Sequence, residues 1–154
     1  MNLETSKIRD RVLKYCIGRG IDIGCSRDKI KPDAIGIDNQ GGPGGVDMLL
    51  DASKPLPFET GELDYVYSSH ALEDMLDTTP VLQEWVRILK SGGNIILYVP
   101  HPDLYKGHNS HHKFPGFTPE KLISILKELN CTAVESFIDD RPGCYSTLVV
   151  ATKE

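Results

Sequence analysis

A glycine turn, three acids and five histidines carry the chemistry available to this chain. Gly20-Ile-Asp-Ile-Gly-Cys-Ser-Arg-Asp-Lys29 is a short apolar strand that breaks into a turn at Gly24. A strand ending this way presents backbone N–H groups at its carboxyl edge, where an α/β sheet receives a nucleotide-like ligand. Asp22 lies within that strand, Asp38 closes a second apolar stretch, and Asp51 follows a third. A carboxylate at a strand end can accept both hydroxyls of a ribose through its two oxygens. Each acid also has a plainer reading. Asp22 serves equally as a cap of its own turn, Asp38 as a loop-starting carboxylate and Asp51 as an ordinary turn residue.

The histidines are His70, just after an apolar stretch, and His101, His108, His111 and His112 in one polar segment. His108 and His112 are four apart, which on a helix would turn two imidazoles toward a metal. Gly107, Asn109 and Pro115 argue against a helix there, so no metal is expected. An imidazole that titrates near neutrality can instead take a proton from a hydroxyl or amine. His70 and His112 are the candidate bases, against the alternative that each is a polar loop residue.

The elements that must hold these groups are legible in outline. Thr5 to Cys16 carries Ile8, Val12, Tyr15 and Cys16 near a 3.6 period and stops before Gly18, which predicts a leading helix. Strands are expected at Gly20–Ile23, Ala34–Ile37, Val46–Leu50, Leu63–Tyr67 and Asn94–Val99. Only Arg27 to Asp33 separates the first two, with Pro32 near its end, so at most one helical turn fits. The glycines and proline of 39–45 forbid a helix before the third strand. Thr79 as N-cap and Pro80 at N1 predict a helix with Val81, Leu82, Trp85, Ile88 and Leu89 on one face. Arg87 and Lys90 fall in its last turn, and Gly92-Gly93 ends it. Thr118-Pro119-Glu120 repeats the start, with Leu122, Ile125, Leu126 and Leu129 as the face. Cys131–Ile138 and Ser146–Thr152, joined through Asp139 to Gly143, predict an antiparallel hairpin at the sheet edge. The expected fold is a three-layer α/β sandwich on a mostly parallel seven-stranded sheet, with shortened helices after strands 1 and 2.

With 154 residues the chain is expected to be a single domain, 1–154. A net charge of −5 without a basic stripe disfavours nucleic acid. Cys16, Cys25, Cys131 and Cys144 form no CxxC pair and suit a reducing compartment. With no signal pattern and no long apolar run, the expectation is a cytoplasmic, soluble chain.

Five stretches, taken in order, resemble a class I S-adenosylmethionine-dependent methyltransferase of the compact, small-molecule, type 11-like branch. They are Gly20-Ile-Asp-Ile-Gly-Cys25, Ile35-Gly-Ile-Asp38, Asp51-Ala-Ser-Lys-Pro-Leu-Pro-Phe58, Leu63-Asp-Tyr-Val-Tyr-Ser-Ser-His-Ala-Leu-Glu73 and Trp85-Val-Arg-Ile-Leu-Lys-Ser-Gly-Gly93. The resemblance implies a Rossmann-like sheet and S-adenosyl-L-methionine as cofactor. It places Asp22 near the amino-acid end, Asp38 at the ribose, Asp51 and the Ala52 backbone at adenine, and Ser68 and His70 near the methionine part and the methyl group, with Gly24, Cys25, Ser26 and Asn39 also bordering the cofactor. It further implies in-line methyl transfer to a small-molecule O, N or C nucleophile. Ser26 and Asp28 stand where the family commonly has glycines, and Asp74 stands where a second histidine often follows the glutamate. Two other readings remain. One is a non-catalytic relative acting as a partner subunit. The other is a nicotinamide-dependent oxidoreductase, disfavoured because G-x-G-x-x-G is absent and only fourteen positions separate Gly24 from Asp38. With few residues to build a lid, a second copy or a partner subunit is expected to close the site.

Overall fold

The computed structural model describes residues 4–41, 44–106 and 113–154. Helix α1 (Glu4–Val12) runs into a 3-10 turn at Leu13–Tyr15 and is followed by β1 (Gly20–Ile23), β2 (Ile35–Asp38), β3 (Met48–Leu49) and β4 (Leu63–Ser69). A second 3-10 turn (Leu72–Asp74) leads to α2 (Thr78–Arg87), β5 (Leu89–Pro100), α3 (Pro119–Glu128), β6 (Cys131–Asp139) and β7 (Ser146–Lys153). The sheet has seven strands in the order β3-β2-β1-β4-β5-β7-β6. Strands β1 to β5 pair in parallel, and β7 runs antiparallel between β5 and β6.

Alternation along the strands divides the core. Ile21, Ile23, Val66, Ile95 and Leu97 point to one face, where α2 and α3 bring Leu82, Trp85, Leu122 and Leu126. Tyr65, Tyr67, Ile96 and Tyr98 point to the other, where α1 brings Ile8 and Val12. The α1 face lacks a crossover helix, because residues 24–34 contain none. Loops do that covering instead. A Cβ on Gly36 in β2 would lie 2.0 Å from Gly45 O, so the β2–β3 loop packs directly on the backbone of β2.

The leading helix, the α3 cap and the edge hairpin form as the residues predict. Thr118 Oγ1 accepts from Lys121 N (3.2 Å), with Pro119 at the first helical position. Four expectations need correction. Strand β3 is two residues rather than Val46–Leu50, because Asp47 Oδ2 accepts from Gly36 N (2.8 Å) and takes the place of a ladder carbonyl. The connection after β1 does not form even the one helical turn that fits, and the described residues after β2 hold no helix, as the glycines and proline of 39–45 require. Helix α2 starts at Thr78, with Asp77 rather than Thr79 as N-cap, so Pro80 is its third residue. Proline is tolerated there because first-turn N–H groups have no intrahelical partner. The helix also ends at Arg87, not at the glycine pair, and Lys90 therefore lies in β5. Arg87 O and Ile88 O, which a continuing helix would use, accept instead from Gly61 N (2.8 Å) and Leu63 N (2.9 Å). Lys153 Nζ then donates to Val86 O (2.8 Å) and Leu89 O (2.7 Å), closing the helix end.

Candidate functional site

The glycine turn sits where the strand order reverses, between β1 and its neighbours β2 and β4. Its N–H groups are not presented outward as the sequence suggested. Gly24 N and Cys25 N donate to Ile37 O (2.7 and 3.3 Å), and Ser26 N donates to Asp38 Oδ2 (2.8 Å). The turn is thus clamped onto β2 and prearranged. Ser26 has φ 49°, the left-handed conformation that a glycine supplies without strain, so it stands in for the missing glycine at a conformational cost. Gly24 has φ 76°, and a Cβ there would lie 2.6 Å from Ala71 Cβ. The absent side chain lets the turn close onto the segment after β4.

Asp38 ends β2 with Oδ2 on Ser26 N and Oδ1 accepting from Gln40 N (3.1 Å), so Asn39 is held between its own neighbours. Each carboxylate oxygen has capacity for a further donor. Leu50 N donates to Asp38 O (3.0 Å), which sets Asp51 beside Asp38 across adjacent strand ends. Asp51 Oδ1 accepts from Ser53 N (3.0 Å) and Ser53 Oγ (2.6 Å), and these bonds hold its carboxyl below the usual range. Ala52 O accepts from Trp85 Nε1 (3.0 Å), fixing that loop to α2. Ser68 Oγ donates to Ile23 O (3.0 Å) and is buried between β1 and β4. Two acids at neighbouring strand ends beside a preset turn suit the hydroxyls and amine of a nucleoside.

Asp22 points to the α1 face and is 1% exposed. Its Oδ2 accepts from Ile30 N (2.7 Å), while Oδ1 has no hydrogen-bond partner among the described residues. It therefore fastens the loop after the turn to β1. Burial pushes its carboxyl up to about 8, against the opposing Ile30 N–H. The unfolded chain ionises near pH 4 and the folded chain does not, so this group's contribution to stability is full below that pH and is lost as pH rises to about 8. Glu73, raised by burial to about 8, acts in the same direction. Asp22→Asn is expected to raise the melting temperature by about 5 °C or more at pH 8 and hardly at pH 4. Thermal unfolding at both pH values checks this, and Glu73 should retain part of the slope.

His70 lies just past β4 with φ 50°, a strained backbone for a non-glycine residue. Its Nε2 shares a 2.8 Å hydrogen bond with Ser146 Oγ of β7. Glu4 Oε2 approaches Nε2 to 3.7 Å, and Glu73 Oε2 approaches Nδ1 to 4.0 Å. Tyr98 and Tyr145 lie against the ring at centroid distances of 5.6 and 5.7 Å. Tyr145 Oη donates to Glu4 Oε1 (2.6 Å). Tyr98 Oη donates to Asp139 Oδ2 (2.7 Å), and Arg141 holds that carboxyl down to about 2. Glu4, Tyr145 and Ser146 are distant in sequence and have no local signature, so sequence reasoning missed them. His112, the other candidate base, falls outside the described residues. His101 is buried, and its Nδ1 accepts from Asp103 N (3.1 Å), a local loop role. Among the described residues no His, Cys, Asp and Glu cluster suits a metal ion.

On the opposite face, a cavity of about 470 Å³ opens between the start of α2 and α3. Leu76, Thr79, Phe114, Phe117, Lys121 and Ile125 are among its lining. Phe114 N donates to Glu73 O (3.1 Å) and Phe117 N to Pro100 O (2.8 Å). The cavity therefore stands at the carboxyl ends of β4 and β5.

Residues 21–97 match the model of the Methyltransferase domain family. The chain belongs to that family. As a class I methyltransferase it uses S-adenosyl-L-methionine as cofactor. Solved methyltransferase structures share its fold. The Burkholderia thailandensis 1,6-didemethyltoxoflavin-N1-methyltransferase, solved with 1,6-didemethyltoxoflavin and S-adenosylhomocysteine, superposes with a TM-score of 0.75 at 17% identity, covering 98% of this chain and 77% of that one. An S-adenosylmethionine-dependent methyltransferase from Archaeoglobus fulgidus gives 0.75 at 21% identity over 98% and 93% of the two chains. A methyltransferase from Haloferax volcanii in complex with the Trm112 activator gives 0.68 at 16% identity over 97% and 93%. No curated protein sequence matches the chain. No helix of this methyltransferase, among the described residues, is long and apolar enough to cross a membrane.

Proposed function

We propose that this methyltransferase acts on a small-molecule acceptor. The observation that carries the reading is the cavity of about 470 Å³ at the carboxyl ends of β4 and β5. Its volume falls within the range of about 300–1,000 Å³ usual for small-ligand sites. The chain's acidity and lack of a basic stripe support the same reading over a nucleic-acid acceptor. The Burkholderia enzyme, whose structure holds 1,6-didemethyltoxoflavin, adds a likeness of fold.

In this reading Asp38 and Asn39 hold the ribose, Asp51 and the Ala52 backbone border the adenine, and Gly24, Cys25, Ser26 and Ser68 shape the amino-acid end. Asp22 supports the same turn from beneath. When bound, S-adenosylmethionine supplies a methyl group already activated on sulfur, for in-line attack by an O, N or C nucleophile. The chain's share of the work is alignment of the two reactants. His70 is the candidate base among the described residues. Its Nε2 shares a hydrogen bond with Ser146 Oγ, and its Nδ1 faces Glu73 Oε2. His112 is the other candidate. Leu49 of β3 and Leu76 at the cavity expose apolar side chains, which supports closure by a second copy or a partner subunit. The four unpaired thiols support a reducing, cytoplasmic setting.

The test is methyl transfer from radiolabelled S-adenosylmethionine into fractionated cell extract. Label recovered in the small-molecule fraction is the expected result. Label confined to protein or nucleic acid overturns the acceptor class. In parallel, calorimetry should show binding of S-adenosylhomocysteine and none of NAD.

A further inference from the structure

The loop between β1 and β2 has no helix to satisfy its backbone, and its polar groups must find partners elsewhere. One side chain from α1 supplies partners for three of them. Arg9 of α1 donates through Nε to Ile30 O (3.1 Å) and through Nη2 to Lys29 O (3.0 Å) and Asp28 Oδ1 (2.6 Å). Ile30 is thereby gripped from two sides, its N–H by Asp22 of β1 and its carbonyl by Arg9. Its side chain is fully buried against the α1 face with Ile8 and Val12. Only Arg27 lies between this gripped segment and Ser26, the residue that Asp38 clamps. A guanidinium suits the task because its planar fork reaches several fixed acceptors at once, which a lysine cannot do.

We propose that Arg9 is a positioning residue for the cofactor turn, doing from α1 what a crossover helix would do from within the loop. This rests on the reading that the turn from Gly24 to Ser26 borders the cofactor. The same helix carries Glu4, which accepts from Tyr145 and approaches His70. Helix α1 therefore ties the cofactor turn to the carboxyl end of β4 and the amino end of β7. Order at one place favours order at the other, and the coupling is reciprocal.

The test uses the full chain, S-adenosylhomocysteine as probe, and trypsin, whose sites Arg27 and Lys29 lie in the loop. Arg9→Met keeps the aliphatic stem that covers the helix and removes the fork. It is expected to weaken S-adenosylhomocysteine binding about tenfold by calorimetry and to speed cleavage within residues 27–31, with cooperative urea unfolding retained. Arg9→Lys should fall between the two proteins. Should Arg9→Met not fold, Asp28→Asn, which removes the charge from one acceptor, should show the same two changes at a few-fold level. Unchanged affinity in a folded Arg9→Met overturns the proposal, whether or not cleavage rises. A wild-type protein that binds no S-adenosylhomocysteine overturns the cofactor reading itself. Cleavage then still reports separately whether Arg9 holds the loop.

Discussion

Asp38→Ala is expected to weaken S-adenosylhomocysteine binding about 100-fold. Two charge-assisted hydrogen bonds to a ribose, each of about 1.5–3 kcal/mol, set that scale. The carboxylate also does structural work, because Oδ2 accepts from Ser26 N and Oδ1 from Gln40 N. Its removal leaves Ser26, at φ 49°, without the bond that holds its unfavourable backbone conformation. Stability should therefore drop by about 1–3 kcal/mol as well. Asp38→Asn separates the two roles. Its amide oxygen can still hold one N–H, so most of the stability should return while affinity stays about tenfold down. Calorimetry of both variants, with urea unfolding as control, reads the difference. Wild-type affinity in Asp38→Ala refutes the ribose assignment.

Trp85→Ala should cause the largest loss of stability, about 3–5 kcal/mol from the cavity alone. Trp85 is fully buried in the core beneath α2, and its Nε1 donates to Ala52 O (3.0 Å). Alanine would leave both a void and an unpaired carbonyl in the loop that carries Asp51. Against a total stability of about 5–15 kcal/mol, that brings the protein close to unfolding at room temperature. Trp85→Phe fills most of the void but cannot donate, so it should lose about 1–3 kcal/mol. Since Trp85 is the only tryptophan, urea midpoints should be followed by circular dichroism rather than fluorescence.

What the sequence conveyed, it conveyed through local rules. Thr118-Pro119 is a helix start that depends on nothing distant, and α3 begins there. The near-continuous apolar run from Asn94 to Val99 reads as a central strand for the same reason. Boundaries failed where a remote group decided them. Helix α2 stops at Arg87 because the start of β4 and Lys153 of β7 take its carbonyls, and no local glycine rule contains that information. The glycine turn was legible as a turn, but its N–H groups face Ile37 O and Asp38, which only the β1–β2 register reveals. The surroundings of His70 were illegible altogether. Glu4 and Ser146 are 142 residues apart in the chain and meet only through the fold.

The sheet is uneven, and the unevenness has a thermodynamic meaning. Strands β1, β2 and β3 have four, four and two residues, whereas β4 to β7 have seven, twelve, nine and eight. Short strands carry few ladder hydrogen bonds, so the β2–β3 edge is expected to open at lower free energy than β4 to β7. Every group assigned to the nucleoside lies on or beside that edge. A ligand bound there draws on a half of the protein that is only weakly self-sufficient, and its binding energy closes the fold as well as filling the site. On the proposed assignment, a bound nucleoside is a structural member of this protein as much as part of a reagent.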